Sequence, residues 1–178
     1  MAAKSLNLHH LAISFLVDAK DIMRHFHKKM RWKNLESLAL TAQRLREDRS
    51  GDRIEYLLCF AAKFAAFMPK LRTLILWYGG KGHAAAVIYR IHRVGGDVGA
   101  SLTWRGTWHW ELRPSVVDAW RKTTAAKLPR CELQIAHEEI KAPVESHADA
   151  IFHLHLPCQV VEPASLWQMR REARTFAQ

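Results

Sequence analysis

The strongest constraint on the fold is a short apolar pattern, L-x-x-L-x-L, that recurs along the chain. Three clear copies occupy residues 8–13, 35–40 and 71–76. Residues two apart in a strand point to the same face, so the last two apolar residues of each copy should enter one core. This spacing is typical of the strand of a leucine-rich repeat. The sequence therefore predicts neighbouring strands whose leucines stack on one another.

Two weaker copies of the pattern follow at residues 128–133 and 151–156, and they predict two more strands. The second and third intervals between copies exceed the length of about 20–29 residues that is usual for such repeats. We therefore expect an irregular array with additional structure between its strands.

The segments between these copies predict helices. Asp18 is a candidate N-cap for the first, and Asp52 with Glu55 forms a candidate capping box for the second. Pro114 and Pro163 can each occupy the first position of a later helix, where proline lacks only a donor that the helix would leave unpaired. Strands separated by helices favour a mostly parallel sheet.

A β-hairpin insert is predicted at about residues 84–112. Its two runs, 84–93 and 101–112, flank a Gly95-Gly96-Asp97 turn, and the second run alternates in polarity. The predicted fold class is thus α/β: an irregular leucine-rich-repeat-like layer of mostly parallel strands with helices and an inserted hairpin. The whole chain, residues 1–178, is expected to form a single domain.

The formal net charge is +10, and most of it lies in residues 1–100. A positive field of this size favours acidic partners, whether nucleic acid, a phosphorylated peptide or an acidic protein face. Lys28, Lys29, Arg31 and Lys33 form the densest basic cluster and are candidate partner-binding residues. The alternative interpretation is an ordinary solvated helix surface.

The hairpin provides the other candidate binding residues, Trp104, Arg105, Trp108, His109 and Trp110. Tryptophan and arginine dominate binding hot spots, and aromatic rings also stack on nucleic-acid bases. The alternative is that this face packs on the main sheet. We expect packing for Trp104 and partial exposure for Trp108 or Trp110.

No catalytic grouping and no cofactor motif is recognisable, and the sequence predicts neither. His153 and His155 lie two apart in a predicted strand, so both rings could share a face and begin a metal site, but no further ligand is identified by spacing. The three cysteines fit reduced core residues, and no apolar run is long enough to cross a membrane. We therefore expect an intracellular protein, in cytoplasm or nucleus, with no membrane partner.

Five stretches, "LNLHHLAISFLVDAKDI", "RWKNLESLALTAQRL", "MPKLRTLILWYGG", "SLTWRGTWHWEL" and "ADAIFHLHLPCQVVEPASLWQM", carry a family resemblance. The chain resembles the uncharacterised, leucine-rich-like C-terminal region of fungal F-box proteins. F-box proteins are substrate receptors of cullin-type ubiquitin ligases, and their C-terminal domain holds the substrate. The F-box itself, which binds the ligase adaptor, has no counterpart here, so the resemblance implies a recognition surface and no residue-level site.

These observations together predict a non-enzymatic domain for macromolecular recognition. The expected partner is a protein with an acidic or phosphorylated surface. The first alternative is a basic nucleic-acid-binding domain, and the second is a metal-dependent hydrolase that uses His153 and His155.

Overall fold

Six strands form one mixed sheet in a computed structural model, which describes residues 7–25, 32–95 and 97–175. The strands lie side by side in chain order: β1 His10–Ile13, β2 Ser37–Thr41, β3 Thr73–Gly80, β4 His83–Val94, β5 Asp97–Gly106 and β6 Leu133–Glu139. The pairs β1–β2, β2–β3 and β5–β6 are parallel, and the two pairs that β4 makes are antiparallel. The described helices are α1 Ala19–Arg24, α2 Gly51–Ala65, α3 Pro114–Lys127, α4 His147–His153 and α5 Pro163–Thr175.

The three clear copies of the leucine pattern are confirmed as neighbouring strands. Leu38 of β2 lies opposite Leu74 of β3, and Leu40 lies opposite Leu76. All four side chains are at most 1% exposed and belong to one core cluster. The leucines therefore stack from strand to strand, as the pattern predicts.

The helix starts follow the predicted signals with one exception. The Asp18 carboxylate accepts a hydrogen bond from Lys20 N at 2.9 Å, and Pro114 and Pro163 are the first residues of α3 and α5. The capping box predicted at Asp52 and Glu55 is wrong, because the N-cap of α2 is Ser50, two residues before Asp52.

The two carboxylates of that predicted capping box instead join two helices. Asp52 and Glu55 accept hydrogen bonds from Arg113 Nη1, at 2.6 and 2.5 Å, at the start of α3. Hydrogen bonds from Ser115 and Arg113 hold the pKa of Glu55 below its ordinary value. The first turns of α2 and α3 are thus tied by charge-assisted contacts.

The predicted hairpin exists as β4 and β5, but it is not an insert on an otherwise complete sheet. Strand β4 pairs with β3 from Gly80–His83 to Thr73–Arg90, so the hairpin fills the middle of the sheet. Strand β5 ends at Gly106, short of the predicted 112. The chain turns after Gly106 to reach α3, which places Trp108 and Trp110 beyond the strand.

The two weaker copies of the pattern were misleading. In residues 128–133 only Leu133 enters a strand. Residues 151–156 form the end of α4 and a turn, with His155 at a positive φ of 42°. A helix forms here because Ser146 caps it, accepting a hydrogen bond from Asp149 N at 3.1 Å. Ala150 and Leu154, which are four residues apart, then both face the sheet.

Different elements cover the two faces of the sheet. Helices α1 to α3 pack on the leucine face, where Tyr89 of β4 lies 4.7 Å from the Trp120 ring of α3. The opposite face is crossed by residues 140–162, which we call the cover segment. Its α4 approaches β3 so closely that a Cβ at Gly79 would lie 2.3 Å from the Ala150 Cβ. Glycine is therefore required at this crossing.

The cover segment seals only part of its face. Val144, Ala150, Leu154 and Val160 pack on an apolar area of the sheet that includes Ala39, Ile75, Trp77, Ala86 and Ile88. The same face continues past Ile88 into Arg90 and His92, since alternate residues of a strand share a side. The polar end of this face, at Arg90 and His92, lies beyond the apolar area on which the cover segment packs.

Candidate functional site

A groove of about 390 Å³ lies on the sheet beside the cover segment. It is lined by Ile88, Arg90, His92, Ser101, Thr103, Arg105, Glu138, His155 and Pro157. Ligand sites in proteins range over roughly 300–1,000 Å³. The groove is therefore large enough to hold a side chain or a short stretch of a partner.

The floor of the groove is set by the register of β4 and β5. Arg90 lies opposite Ser101, and Ile88 lies opposite Thr103. Residues directly opposite in an antiparallel pair have side chains close together on one face. The register thus places Arg90 beside the Ser101 hydroxyl, with Thr103 at the next position of β5 on the same face.

His92 reaches the same floor because its neighbour across the hairpin is a glycine. Gly99 lies opposite His92, and a Cβ at Gly99 would lie 2.9 Å from His92 Nε2. The imidazole therefore lies across the β5 backbone at a point where any larger residue would push it away. Gly99 is a positioning residue for His92.

Four polar side chains of the groove lack protein partners. Within the described part of the chain, Arg90, His92, Ser101 and Thr103 have no side-chain hydrogen bond or ion pair. Arg90 is exposed, and the other three are half-buried. Donors gathered in a groove and left without acceptors are available to an external acceptor such as an anion.

The other end of the groove is internally satisfied. Arg105 Nη2 lies 2.5 Å from Glu138 Oε2, and its side chain is 18% exposed. Arg105 Nη1 also donates to the backbone oxygens of Leu154 and His155 where α4 ends. Arg105 is thus committed to holding the cover segment against β5 and β6.

The three tryptophans of the predicted binding surface differ in their burial. Trp104 is 2% exposed, Trp110 is 9% exposed and Trp108 is half-buried, and both of the latter rings pack on Trp104 at 4.8 to 5.2 Å. This cluster lies on the helix-covered face, opposite the groove. His109 is exposed, with its ring 6.1 Å from that of His137.

Of the predicted hairpin residues, Arg105 lines the groove, because it points to the opposite side of β5 from Trp104. In the basic cluster, Lys33 is exposed, whereas Lys28, Lys29 and Arg31 lie outside the described residues. The role assigned to that cluster stays a prediction.

The strand geometry expected for His153 and His155 is wrong. His153 ends α4 and His155 follows it in a left-handed turn. In the described ranges, no three His, Cys, Asp or Glu side chains come together in a way that could hold a metal ion. The two rings therefore do not share one face of a strand, which was the geometric reason for predicting a metal site there.

Sequence reasoning missed Arg90, His92, Ser101 and Thr103. A signal was available, because these residues alternate with Tyr89, Ile91, Leu102 and Trp104 along two strands. Such alternation marks a strand with one face in a core and one face in solvent. The apolar half of this alternation predicts packing, and its polar half marks the solvent-facing residues that line the groove.

Among the described helices, none combines the length and the apolar character that crossing a bilayer would require. No curated protein matched the chain, and no solved structure matched it either. A model of a family of unknown function, DUF6546, matches residues 1–162. With nearly the whole chain matched, this protein belongs to the DUF6546 family.

Proposed function

We propose that the protein is a non-enzymatic recognition domain whose groove binds an acidic segment of a partner protein. One observation carries the proposal: Arg90, His92, Ser101 and Thr103 share a groove and have no partners among the described residues. A cation and several donors without an internal acceptor complement an anionic side chain. No step of bond making is part of this function.

The charge of the chain supports a role in association. A net charge of +10 raises the encounter rate with acidic partners by long-range attraction. Arginine is also among the residue types that contribute most to interface hot spots. Arg90 combines both properties, since it is exposed and lies in a concave site.

We also propose that the sheet and its helices form a leucine-rich-repeat-like layer. Repeat proteins of that kind use an open sheet surface for binding while their helices pack behind it. Here α1 to α3 lie behind the sheet and the groove lies in front. The resemblance to the substrate-holding region of fungal F-box proteins agrees with a recognition role.

A charge reversal in the groove tests the proposal. Arg90→Glu should abolish retention of specific proteins from a lysate of the native host, as measured by quantitative mass spectrometry. Arg130→Glu is the matched control, because Arg130 is an exposed turn residue that does not line the groove. Proteins lost with Arg90→Glu and kept with Arg130→Glu are the expected result. Identical protein profiles for the two variants would refute the groove as the binding site.

A further inference from the structure

We infer that the groove holds a phosphate monoester on a side chain of the partner protein. Arg90 and Ser101, which lie opposite each other, would hold the phosphate, with His92 and Thr103 on either side of them along the groove floor. This inference rests on the proposed function and deepens it, because it names the chemical group that fills the site.

The donor count favours phosphate over carboxylate. A guanidinium can donate two parallel hydrogen bonds, and the imidazole and the two hydroxyls can donate one each. A carboxylate offers only about four acceptor positions on two oxygens. A phosphate monoester offers three terminal oxygens and a charge of about −1.5 to −2 at neutral pH. The four side chains together therefore match the larger anion better.

The charge count favours a single phosphate over a nucleic-acid backbone. Of the two arginines that line the groove in the described residues, Arg105 is neutralised by Glu138, which leaves Arg90 uncompensated. A nucleic-acid strand presents a phosphate at every nucleotide and binds tightly through several successive cations. The Arg105–Glu138 pair carries no net charge, so a neighbouring phosphate of such a strand would find no uncompensated arginine in the groove.

The flanks of the phosphate subsite suit a polypeptide. Ile88 borders the apolar area beneath the cover segment, and Pro157 belongs to the cover segment itself. Apolar surface next to an anion site can take the carbon-rich parts of residues neighbouring a phosphorylated one. The groove thus combines one anion subsite with an apolar shelf.

A titration with small probes tests the inference directly. The probes are N-acetyl-phosphoserine amide, N-acetyl-aspartate amide and a short oligothymidylate, added at equal ionic strength to the full chain. The readout is the ¹⁵N NMR shift of Arg90 Nε and of the Ser101 and Thr103 amides. We expect saturable shifts with phosphoserine, and about tenfold weaker binding with aspartate because fewer charge-assisted bonds form.

Variants assign the shifts to the groove. Arg90→Gln should remove saturation by phosphoserine, whereas Arg130→Gln should leave it unchanged. Absence of saturable shifts, or equal affinity for aspartate and phosphoserine, would overturn the phosphate inference. Tighter, Arg90-dependent binding of the oligothymidylate would overturn it in favour of nucleic acid.

Phosphatase treatment separates the two levels of the proposal. Partner retention from a lysate should fall several-fold after phosphatase treatment, to the level seen with Arg90→Glu. If Arg90→Glu abolishes retention and phosphatase does not, the recognition function stands and the phosphate inference fails. If neither changes retention, both fail.

Discussion

Arg105 on β5 and Glu138 on β6 are joined by two short contacts, 2.6 Å from Nε and 2.5 Å from Nη2 to the same carboxylate oxygen. The pair fixes the guanidinium so that its remaining nitrogen reaches the carbonyls at the end of α4. One ion pair therefore both neutralises the end of the groove and ties down the cover segment.

Replacing Arg105 should loosen the cover segment. Arg105→Gln removes charge-assisted hydrogen bonds to Leu154 and His155, each worth about 1.5–3 kcal/mol when buried and less at a partly exposed site. We expect faster amide hydrogen exchange across residues 150–160, measured by mass spectrometry, with other segments unchanged. Arg90→Gln is the control. Equal exchange across residues 150–160 in the two variants would contradict the role of Arg105 in holding the cover segment.

Enlarging Gly99 should impair binding without unfolding the protein. Gly99→Ala places a methyl group against the His92 imidazole, so we expect several-fold weaker phosphoserine binding in the NMR titration. The double variant with His92→Ala provides the control, because the added methyl then meets no ring. A loss of affinity from Gly99→Ala that is as large in the His92→Ala background would show that the glycine acts in another way.

Truncating Trp104 should affect stability and spare binding. The side chain is 2% exposed in the helix-side core, so Trp104→Ala should lower the free energy of unfolding by about 3–5 kcal/mol. Trp108→Ala should cost less, because Trp108 is only half-buried. Urea denaturation measures both. Loss of partner retention by a Trp108→Ala variant that keeps its stability would restore the tryptophans as the binding surface.

Lys127 should make stability depend on alkaline pH. Its Nζ donates to the Met68 carbonyl, and burial lowers the pKa of Lys127 from 10.5 to about 8. The unfolded chain then binds the proton more tightly between these values, so stability contributed at this residue rises as the pH increases from about 8 to 10.5.

A comparison with Lys127→Met isolates that contribution from cysteines and tyrosines that titrate in the same range. The free energy of unfolding of the unmodified chain should increase relative to that of Lys127→Met between about pH 7.5 and about pH 10. Urea denaturation at both pH values measures it, and a difference that does not change with pH would argue against the lowered pKa.

The central strands could be predicted from the sequence because each has two leucines at the two-residue period of a strand. These are Leu38 and Leu40 in β2, and Leu74 and Leu76 in β3. The same pattern failed at residues 151–156, where Ser146 and the spacing of Ala150 and Leu154 favour a helix. Apolar residues at positions i+3 and i+5 fit one face of a short strand, whereas those at i and i+3 also fit one face of a helix. The neighbouring residues therefore decide which of the two structures forms.

The candidate site was less accessible to sequence reasoning. Arg90 and Ser101 are eleven residues apart, and only the antiparallel register places them opposite each other. The sequence predicts the hairpin, but the path of the cover segment does not follow from it, because the apolar pattern at residues 151–156 predicts a strand where the chain forms a helix end. Without that path, nothing in the sequence separates the sealed part of the sheet face from its open part.

Site-specific crosslinking from the groove tests the central claim most directly. A photoreactive amino acid at Thr103, on the groove floor, should form a discrete protein adduct in cells of the native host. The same probe at Lys122, an exposed residue of α3, should not form this adduct, and adding Arg90→Glu should remove it. Identical adducts from both positions, or adducts to nucleic acid alone from Thr103, would contradict the account.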